Sequence, residues 1–325
     1  MSYLLLVVSL VLLVVGASWL VDGSAAIARR YGISEYIIGA TIVGMGTSMP
    51  ELVVSVISSV EGLPEIAIGN VVGSNIFNVY LILGVTALMM PIKYTRENIR
   101  RDIPIHIIVS VFVLVLCALG IYFRGEYGLG RGSGLLLLGG FAYYLWYILR
   151  SEVKAVGELT DKVVTAELGR YRSLTVCVLS ILVGLGVLIL GGDMFVDSAS
   201  IIAREWGVSE AVIGLTIVAG GTSLPELMSS IVAVTRSKAQ MALGNIVGSN
   251  IFNLLFILGI SSLVQPLSMG EITFVDWGVM LLSSIVLMIA SVTFKRQQLD
   301  RVDAVIFILI YILYVTWLVM GQNGV

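Results

Sequence analysis

The sequence predicts an all-α polytopic membrane protein: ten transmembrane helices, arranged as two inverted five-helix repeats. Three observations lead there. The 325 residues are 58% hydrophobic and only 12% charged, with mean hydropathy +1.02, well outside the composition of soluble globular domains. The basic residues alternate from side to side between ten apolar runs. A shift of 175 residues lays part of one half of the chain on the other without a gap.

The apolar runs fall at about 3–21, 35–60, 66–91, 103–122, 133–150, 173–196, 208–234, 240–265, 274–294 and 303–321. Each reaches or approaches the roughly 20 residues that cross a bilayer. The first run has no Lys or Arg before it and no cleavage site, so it reads as a retained transmembrane helix and not a secretory signal. Runs two, three, seven and eight carry enough Gly, Ser and Pro to be irregular.

The charges between the runs check the count. If the connections after runs one, three, five, seven and nine are cytoplasmic, they hold 16 of the 19 basic residues, leaving Arg124, Arg131 and Arg204 on the other side. That follows the positive-inside rule and puts both termini outside the cytoplasm. The expected setting is a multi-pass protein of the cell membrane. Residues 151–172 mix both signs and form a polar connection between halves 1–150 and 173–325. Asp22 and Asp197 are expected at helix ends, as caps or interfacial groups.

The 175-residue shift aligns Gly16–Gly84 with Gly191–Gly259. Gly46-Thr47-Ser48 and Pro50-Glu51-Leu52 fall on Gly221-Thr222-Ser223 and Pro225-Glu226-Leu227. Gly69-Asn70 and Val72-Gly73-Ser74-Asn75-Ile76-Phe77-Asn78 fall on Gly244-Asn245 and Val247-Gly248-Ser249-Asn250-Ile251-Phe252-Asn253. Five spans per half is an odd number, so the second half enters the membrane from the opposite face. Inverted repeats with a substrate site near the midplane, on interrupted helices, mark transporters.

The chemistry concentrates in the repeated motifs. A carboxylate in hydrocarbon costs at least ~2.5–3.5 kcal/mol, so Glu51 and Glu226 mark function. Pro50 and Pro225, inside helical runs, are expected to free carbonyls one turn upstream. The carbonyl freed at Gly46, the Thr47 and Ser48 hydroxyls and the Glu51 carboxylate then form an oxygen cluster. Ala219, Thr222, Ser223 and Glu226 repeat it. In the next run Ser74 and Asn78 share a helix face, as do Ser249 and Asn253. Gly69 and Gly73 form a small-residue seam that could bring this helix against the proline-bearing one. Asn70 and Asn75 read as hydrogen-bonding links between helices. An all-oxygen set with two carboxylates, no thiolate and no imidazole suits a hard cation. Two Glu could neutralise one divalent ion, two sodium ions or two protons, and competition for them is a basis for exchange.

Other classes have less support. Cys117 and Cys177 lie in apolar runs and read as buried packing residues. His106 is the only histidine, which rules out a multi-His metal cluster; it reads as a satisfied or interfacial side chain. With no Ser–His pair and no His–Glu metal motif, an enzyme is not expected. A cation channel is the different-class alternative, but channel filters are usually rings of symmetric elements. No cofactor and no nucleic-acid partner are expected, and the lipid bilayer is the surrounding partner.

Gly-Thr-Ser-x-Pro-Glu followed by Gly-Asn-x-x-Gly-Ser-Asn-Ile-x-Asn, doubled with inversion, resembles the alpha repeats of the sodium/calcium exchanger family of calcium/cation antiporters. The resemblance extends over essentially the whole ten-span plan. It is to a compact prokaryotic-type member, since no large loop separates runs five and six. It implies an antiporter exchanging Na+ for Ca2+ by alternating access; the chain is expected to work singly. It further implies a central calcium site from the Glu51 and Glu226 carboxylates with backbone oxygens of Thr47 and Thr222. Flanking sodium sites use Ser48, Ser74, Ser223 and Ser249 with carbonyls near Gly44 and Ala219, and Asn78 and Asn253 lie in the middle. Many members carry an acid at the position of Asn78 or Asn253; this chain has Asn at both. The hydrogen/calcium branch usually lacks the Gly-Thr-Ser-x-Pro-Glu form, which favours sodium, with a proton/calcium or other cation exchanger as the alternative.

Overall fold

The computed structural model describes residues 1–156, 173–208, 217, 219–270, 272–292 and 297–322. Among these, eight helices are long and apolar enough to cross a membrane, and Glu35–Thr47 with Met49–Val60 makes a ninth if the pair is one span. The expected seventh run falls partly on 209–216 and 218, outside the described residues. Its described remainder is Ala219–Gly221 and the apolar helix Leu224–Thr235. Most of the 151–172 connection also lies outside; the helix Arg131–Val156 runs into its start. The chain is therefore a helical, multi-pass membrane fold. Its only departures among the described residues are two antiparallel bridges of two-residue strands.

The chain folds as two compact units. One joins Met1–Thr47 to Tyr143–Gly248, the other Ser48–Ala142 to Ser249–Val325. Each draws on both halves of the sequence.

In the first unit the helices Ser2–Tyr31 and Leu174–Glu205, equivalent under the 175-residue shift, pack along one another. They meet backbone to backbone at two glycines. A Cβ on Gly16 would lie 2.7 Å from the Leu188 nitrogen and 2.8 Å from the Gly184 carbonyl oxygen. A Cβ on Gly184 would lie 2.7 Å from the Leu20 nitrogen and 2.8 Å from the Gly16 oxygen. Lipid provides no hydrophobic drive for helix pairing, so such close approach of small residues does the holding. Within the same unit the helix Ala239–Phe252 closes on residues 36–40. A Cβ on Gly244 would sit 2.1 Å from the Tyr36 oxygen, and one on Gly248 would sit 2.3 Å from the Ala40 oxygen. The seam expected for Gly69 and Gly73 is not seen at those residues among the described ones: a Cβ on Gly69 would meet only the Ile272 side chain, at 3.3 Å, and the backbone contacts belong to the repeats, Gly244 and Gly248.

Asp22 and Asp197 are not at helix ends. They lie inside Ser2–Tyr31 and Leu174–Glu205, because a single Asp does not stop a helix. The first helix stops at Gly32, in the left-handed region at φ 66°, whose N–H bonds the Ala28 carbonyl. Asp22 pairs instead with Arg236, each about a third exposed. Exposed pairs contribute at most about 1 kcal/mol. Asp22→Asn is therefore expected to change stability by less than ~1 kcal/mol, read from thermal unfolding in detergent.

In the second unit, Pro64–Phe77, Ile103–Arg124, Phe274–Val292 and Arg301–Gln322 surround a core holding Trp277, Tyr80 and Phe307. The Tyr80 and Phe307 rings meet edge to face at 6.0 Å. Ile92–Lys93 pairs with Gln298–Leu299, and Gly128–Leu129 pairs with Leu267–Ser268. Ile92–Lys93 and Leu267–Ser268 are themselves 175 residues apart. Each of these equivalent strands finds its partner in the opposite half of the sequence.

Candidate cation site

Both copies of the Gly-Thr-Ser-x-Pro-Glu motif interrupt their helix at the serine. Ser48 has φ −81°, ψ 12° and Ser223 has φ −91°, ψ 6°, values between the helical and extended regions. A new helix begins at once: Met49–Val60 after Ser48 and Leu224–Thr235 after Ser223. This corrects the expectation of a proline inside a helix. Pro50 and Pro225 occupy the first turn, where the missing N–H is no loss and the fixed φ suits the helix. The consequence is electrostatic. Glu51 and Glu226 each sit in the first turn, where the helix dipole favours negative charge. They are 1% and 0% exposed.

The candidate ligands divide between the units, and nearly all are buried. The first unit holds Gly44, Thr47, Ala219, Thr222, Ser223 and Glu226; the second holds Ser48, Glu51, Ser74, Asn78, Ser249 and Asn253. Gly44, Thr47, Ser223 and Glu226 are buried and Thr222 is half-buried. Ser48, Glu51, Ser74, Asn78, Ser249 and Asn253 are all buried. The side chain of Ala219 lies outside what is described.

Two asparagines hold the carboxylate-bearing helices. Asn70 Nδ2 donates to the Glu51 carbonyl at 3.1 Å and to Ser55 Oγ at 2.9 Å. Asn245 Nδ2 donates to the Glu226 carbonyl at 3.3 Å and to Ser229 Oγ and Ser230 Oγ, both at 2.9 Å. Ser230 is the repeat of Ser55, so the same clamp occurs once in each unit. The Thr47 hydroxyl lies 3.3 Å from both the Gly44 carbonyl and Asn245 Oδ1. Asn245 thereby ties Thr47 to the backbone of Glu226 within one unit. The linking role expected of Asn70 is present. Asn75 does not share it among the described residues, since neither of its side-chain polar atoms has a partner there. Sequence reasoning missed Ser55 and Ser230, although each lies four residues after its Glu in both copies. Each neutral hydrogen bond contributes about 1 kcal/mol, and leaving its buried partners unmet costs more. Asn245→Ala should lower stability by about 1–3 kcal/mol, as thermal unfolding of the purified protein would show.

The helices that follow carry a second matched irregularity. Each passes from α into a single π turn at its candidate asparagine: Asn78–Leu83 in one copy, Asn253–Ile257 in the other. Such turns insert an extra residue, offset the hydrogen-bond ladder and concentrate at functional sites. The second unit gathers Asn75, Asn78, Asn250, Asn253 and His106. Asn78 Nδ2 donates to Asn250 Oδ1 at 2.9 Å, and Asn250 Nδ2 donates to the Asn75 carbonyl at 3.3 Å. Asn250 Nδ2 also lies 3.4 Å from His106 Nε2. His106 is 1% exposed, so it is a core residue and not an interfacial one. Among the described residues, Asn78 Oδ1, both polar atoms of Asn253 and Thr222 Oγ1 are buried with no hydrogen-bond partner. Native proteins seldom leave such groups unmet. Amide and hydroxyl oxygens together with carboxylates are the donor set of a hard cation. Among the described residues no three His, Cys, Asp or Glu gather into a metal-binding group.

Comparison with known proteins bears on the family. The model of the sodium/calcium exchanger protein family matches residues 1–150 and 176–320. A putative antiporter, CaxA, of Alkalimonas amylolytica is 37% identical over 315 residues, covering 94% of this chain and 95% of the relative. The sodium/calcium exchanger MaX1 of Methanosarcina acetivorans is 32% identical, covering 96% of this chain and 97% of the relative. A solved structure of the sodium-calcium exchanger NCX_Mj, soaked with Na+ and Sr2+, superposes with TM-score 0.80 at 32% identity, covering 97% of each chain. With the family match spanning both halves, and with relatives and a solved fold covering nearly its full length, the chain belongs to the sodium/calcium exchanger protein family.

Proposed function

We propose that this protein is a secondary antiporter that exchanges sodium for calcium across the cell membrane by alternating access. The observation that carries the reading is the doubled motif. In each copy a buried Glu sits in the first turn of a proline-initiated helix, its carbonyl clamped by an asparagine of the next helix. Family membership makes the exchanged ion a cation and calcium one partner. In this reading Glu51 and Glu226 neutralise calcium with backbone oxygens of Thr47 and Thr222. Ser48, Ser74, Ser223 and Ser249 bind sodium with carbonyls of Gly44 and Ala219, and the amides of Asn78 and Asn253 complete the set. The empty, doubly negative set is costly to carry through hydrocarbon, whereas a loaded one is neutral. That difference couples the two ions.

Two further parts belong to the same proposal. Residues 1–150 and 173–325 form inverted five-span halves joined by 151–172, a reading supported by the matched π turns and by the reciprocal strand bridges. Both termini lie outside the cytoplasm, as the basic residues indicate. Sodium is favoured over protons by the Gly-Thr-Ser-x-Pro-Glu form, which the hydrogen/calcium branch usually lacks. Isotopic calcium uptake into proteoliposomes tests the coupling. Uptake driven by an outward sodium gradient is expected; uptake driven by a pH gradient and indifferent to sodium would replace sodium with protons.

A further inference from the structure

The single histidine has no part in the exchange chemistry described above, yet it is buried beside a candidate ligand's partner. The hydrogen-bond polarity of its surroundings can be followed atom by atom. The Asn75 carbonyl can only accept, so the Asn250 amide that faces it at 3.3 Å must be Nδ2. That NH2 group has a second hydrogen, and His106 Nε2 lies 3.4 Å away. Accepting from Nδ2 makes Nε2 the bare ring nitrogen and puts the hydrogen on Nδ1, which is buried and has no hydrogen-bond partner among the described residues, so the contact with Asn250 is what selects this tautomer. With Nδ2 committed, Asn250 turns Oδ1 towards Asn78, at 2.9 Å from its amide nitrogen. Asn78 must therefore donate, and its own oxygen is left over. Among the described residues that Oδ1 is buried and has no hydrogen-bond partner. The Asn75 carbonyl, with His106 Nε2 as a second acceptor, thus decides at one end of the chain which end of Asn78 is presented at the other.

We propose that His106 is a positioning residue for cation binding: by accepting from Asn250 through Nε2, it orients two asparagine amides in series so that Asn78 offers oxygen, not NH2, to the ion. The proposal rests on the assignment of Asn78 as a ligand. The distinction matters because the two ends of an asparagine amide are nearly equal in shape and opposite in function. An oxygen ligates sodium or calcium, whereas an NH2 in the same place repels them. The Nδ2 end of Asn250 has one acceptor in the Asn75 carbonyl; the histidine supplies the second. The arrangement lies wholly within one compact unit, on the helices Pro64–Phe77 and Ile103–Arg124, the turn beginning at Asn78, and the segment carrying Asn250.

Because the chain has one histidine, nitrogen-15 histidine labelling of the intact protein gives a single pair of ring resonances. The expected spectrum shows a pyridine-type Nε2 and a hydrogen-bearing Nδ1. A hydrogen on Nε2 overturns the proposal, and this measurement needs no variant. Calcium binding, with calcium alone as probe, gives the second test. His106→Leu should weaken binding by about 5–10-fold, the loss of roughly one hydrogen bond's orienting energy. His106→Gln, which keeps an accepting oxygen, should restore affinity to within about 2-fold at the thermal stability of His106→Leu. Equal affinity in the parent protein and His106→Leu, or equal losses in Leu and Gln, would refute the positioning role. Unchanged binding in Asn78→Ala defeats the ligand assignment itself, and is read separately from the ring spectrum.

Discussion

Glu51→Gln and Glu226→Gln are each expected to lower calcium affinity by at least ~100-fold, as measured by equilibrium binding of isotopic calcium. Both carboxylates are buried, and each lies in the first turn of a helix, where the dipole favours negative charge. Gln keeps the shape and one oxygen but removes the charge. A desolvated cation then loses half of its neutralising charge, and removing one partner of a buried ion pair costs about 3–5 kcal/mol. At 1.4 kcal/mol per decade that is about two to three and a half decades in affinity. Asn78→Ala removes one neutral oxygen and is expected to cost nearer 10-fold. Glu35→Gln is the control: it breaks a 2.9 Å pair with Lys238 that is partly open to solvent, and binding should stay within about 2-fold. Unchanged calcium affinity in both Gln variants would defeat the assignment of the site.

Gly244→Ala is expected to destabilise the protein by at least about 3 kcal/mol, at the upper end of overpacking effects. Its Cβ would fall 2.1 Å from the Tyr36 oxygen and 3.0 Å from the Ala40 nitrogen. Both are backbone atoms, which cannot rotate away as a side chain can. Residues 36–40 would have to lift from Ala239–Phe252, and Asn245, on the same helix, would lose its register on Glu226 and Thr47. Gly140→Ala supplies the contrast. The nearest atom to its Cβ is Leu255 Cδ2 at an ordinary 3.6 Å, and alanine favours a helix over glycine by up to ~1 kcal/mol. Gly140→Ala should be neutral or slightly stabilising. Thermal unfolding in detergent compares the two; a Gly244→Ala protein as stable as Gly140→Ala would show that this close approach is not required.

The helical membrane class and the repeat were legible because they rest on long-range patterns. Runs of about 20 apolar residues and a 175-residue identity register survive any uncertainty about local geometry. The helix ends were less legible. Apolar runs stop at the first charge, but Ser2–Tyr31 continues through Asp22, Arg29 and Arg30 until Gly32 turns it. The proline was misplaced for a related reason. A Pro in an apolar run looks like an interior kink, and only the backbone angles of Ser48 and Ser223 show that a new helix starts there. The candidate oxygens could be named from residue type. Hydrogen-bond polarity could not, because whether Asn78 offers oxygen or nitrogen depends on His106 and Asn75, which no local motif connects to it.

The two strand bridges bear on how the protein is made. Ile92–Lys93 can pair only with Gln298–Leu299, which emerge from the ribosome near the end of synthesis. Gly128–Leu129 likewise waits for Leu267–Ser268. The helix Ser2–Tyr31, inserted first, waits for Leu174–Glu205 to cover Gly16. The first half of the chain therefore enters the bilayer with its principal tertiary contacts still unmade, and a nascent chain halted near residue 156 should be a substrate for membrane proteases. The same reciprocity means that the two halves, synthesised as separate polypeptides in one cell, hold the complementary surfaces needed to assemble after insertion.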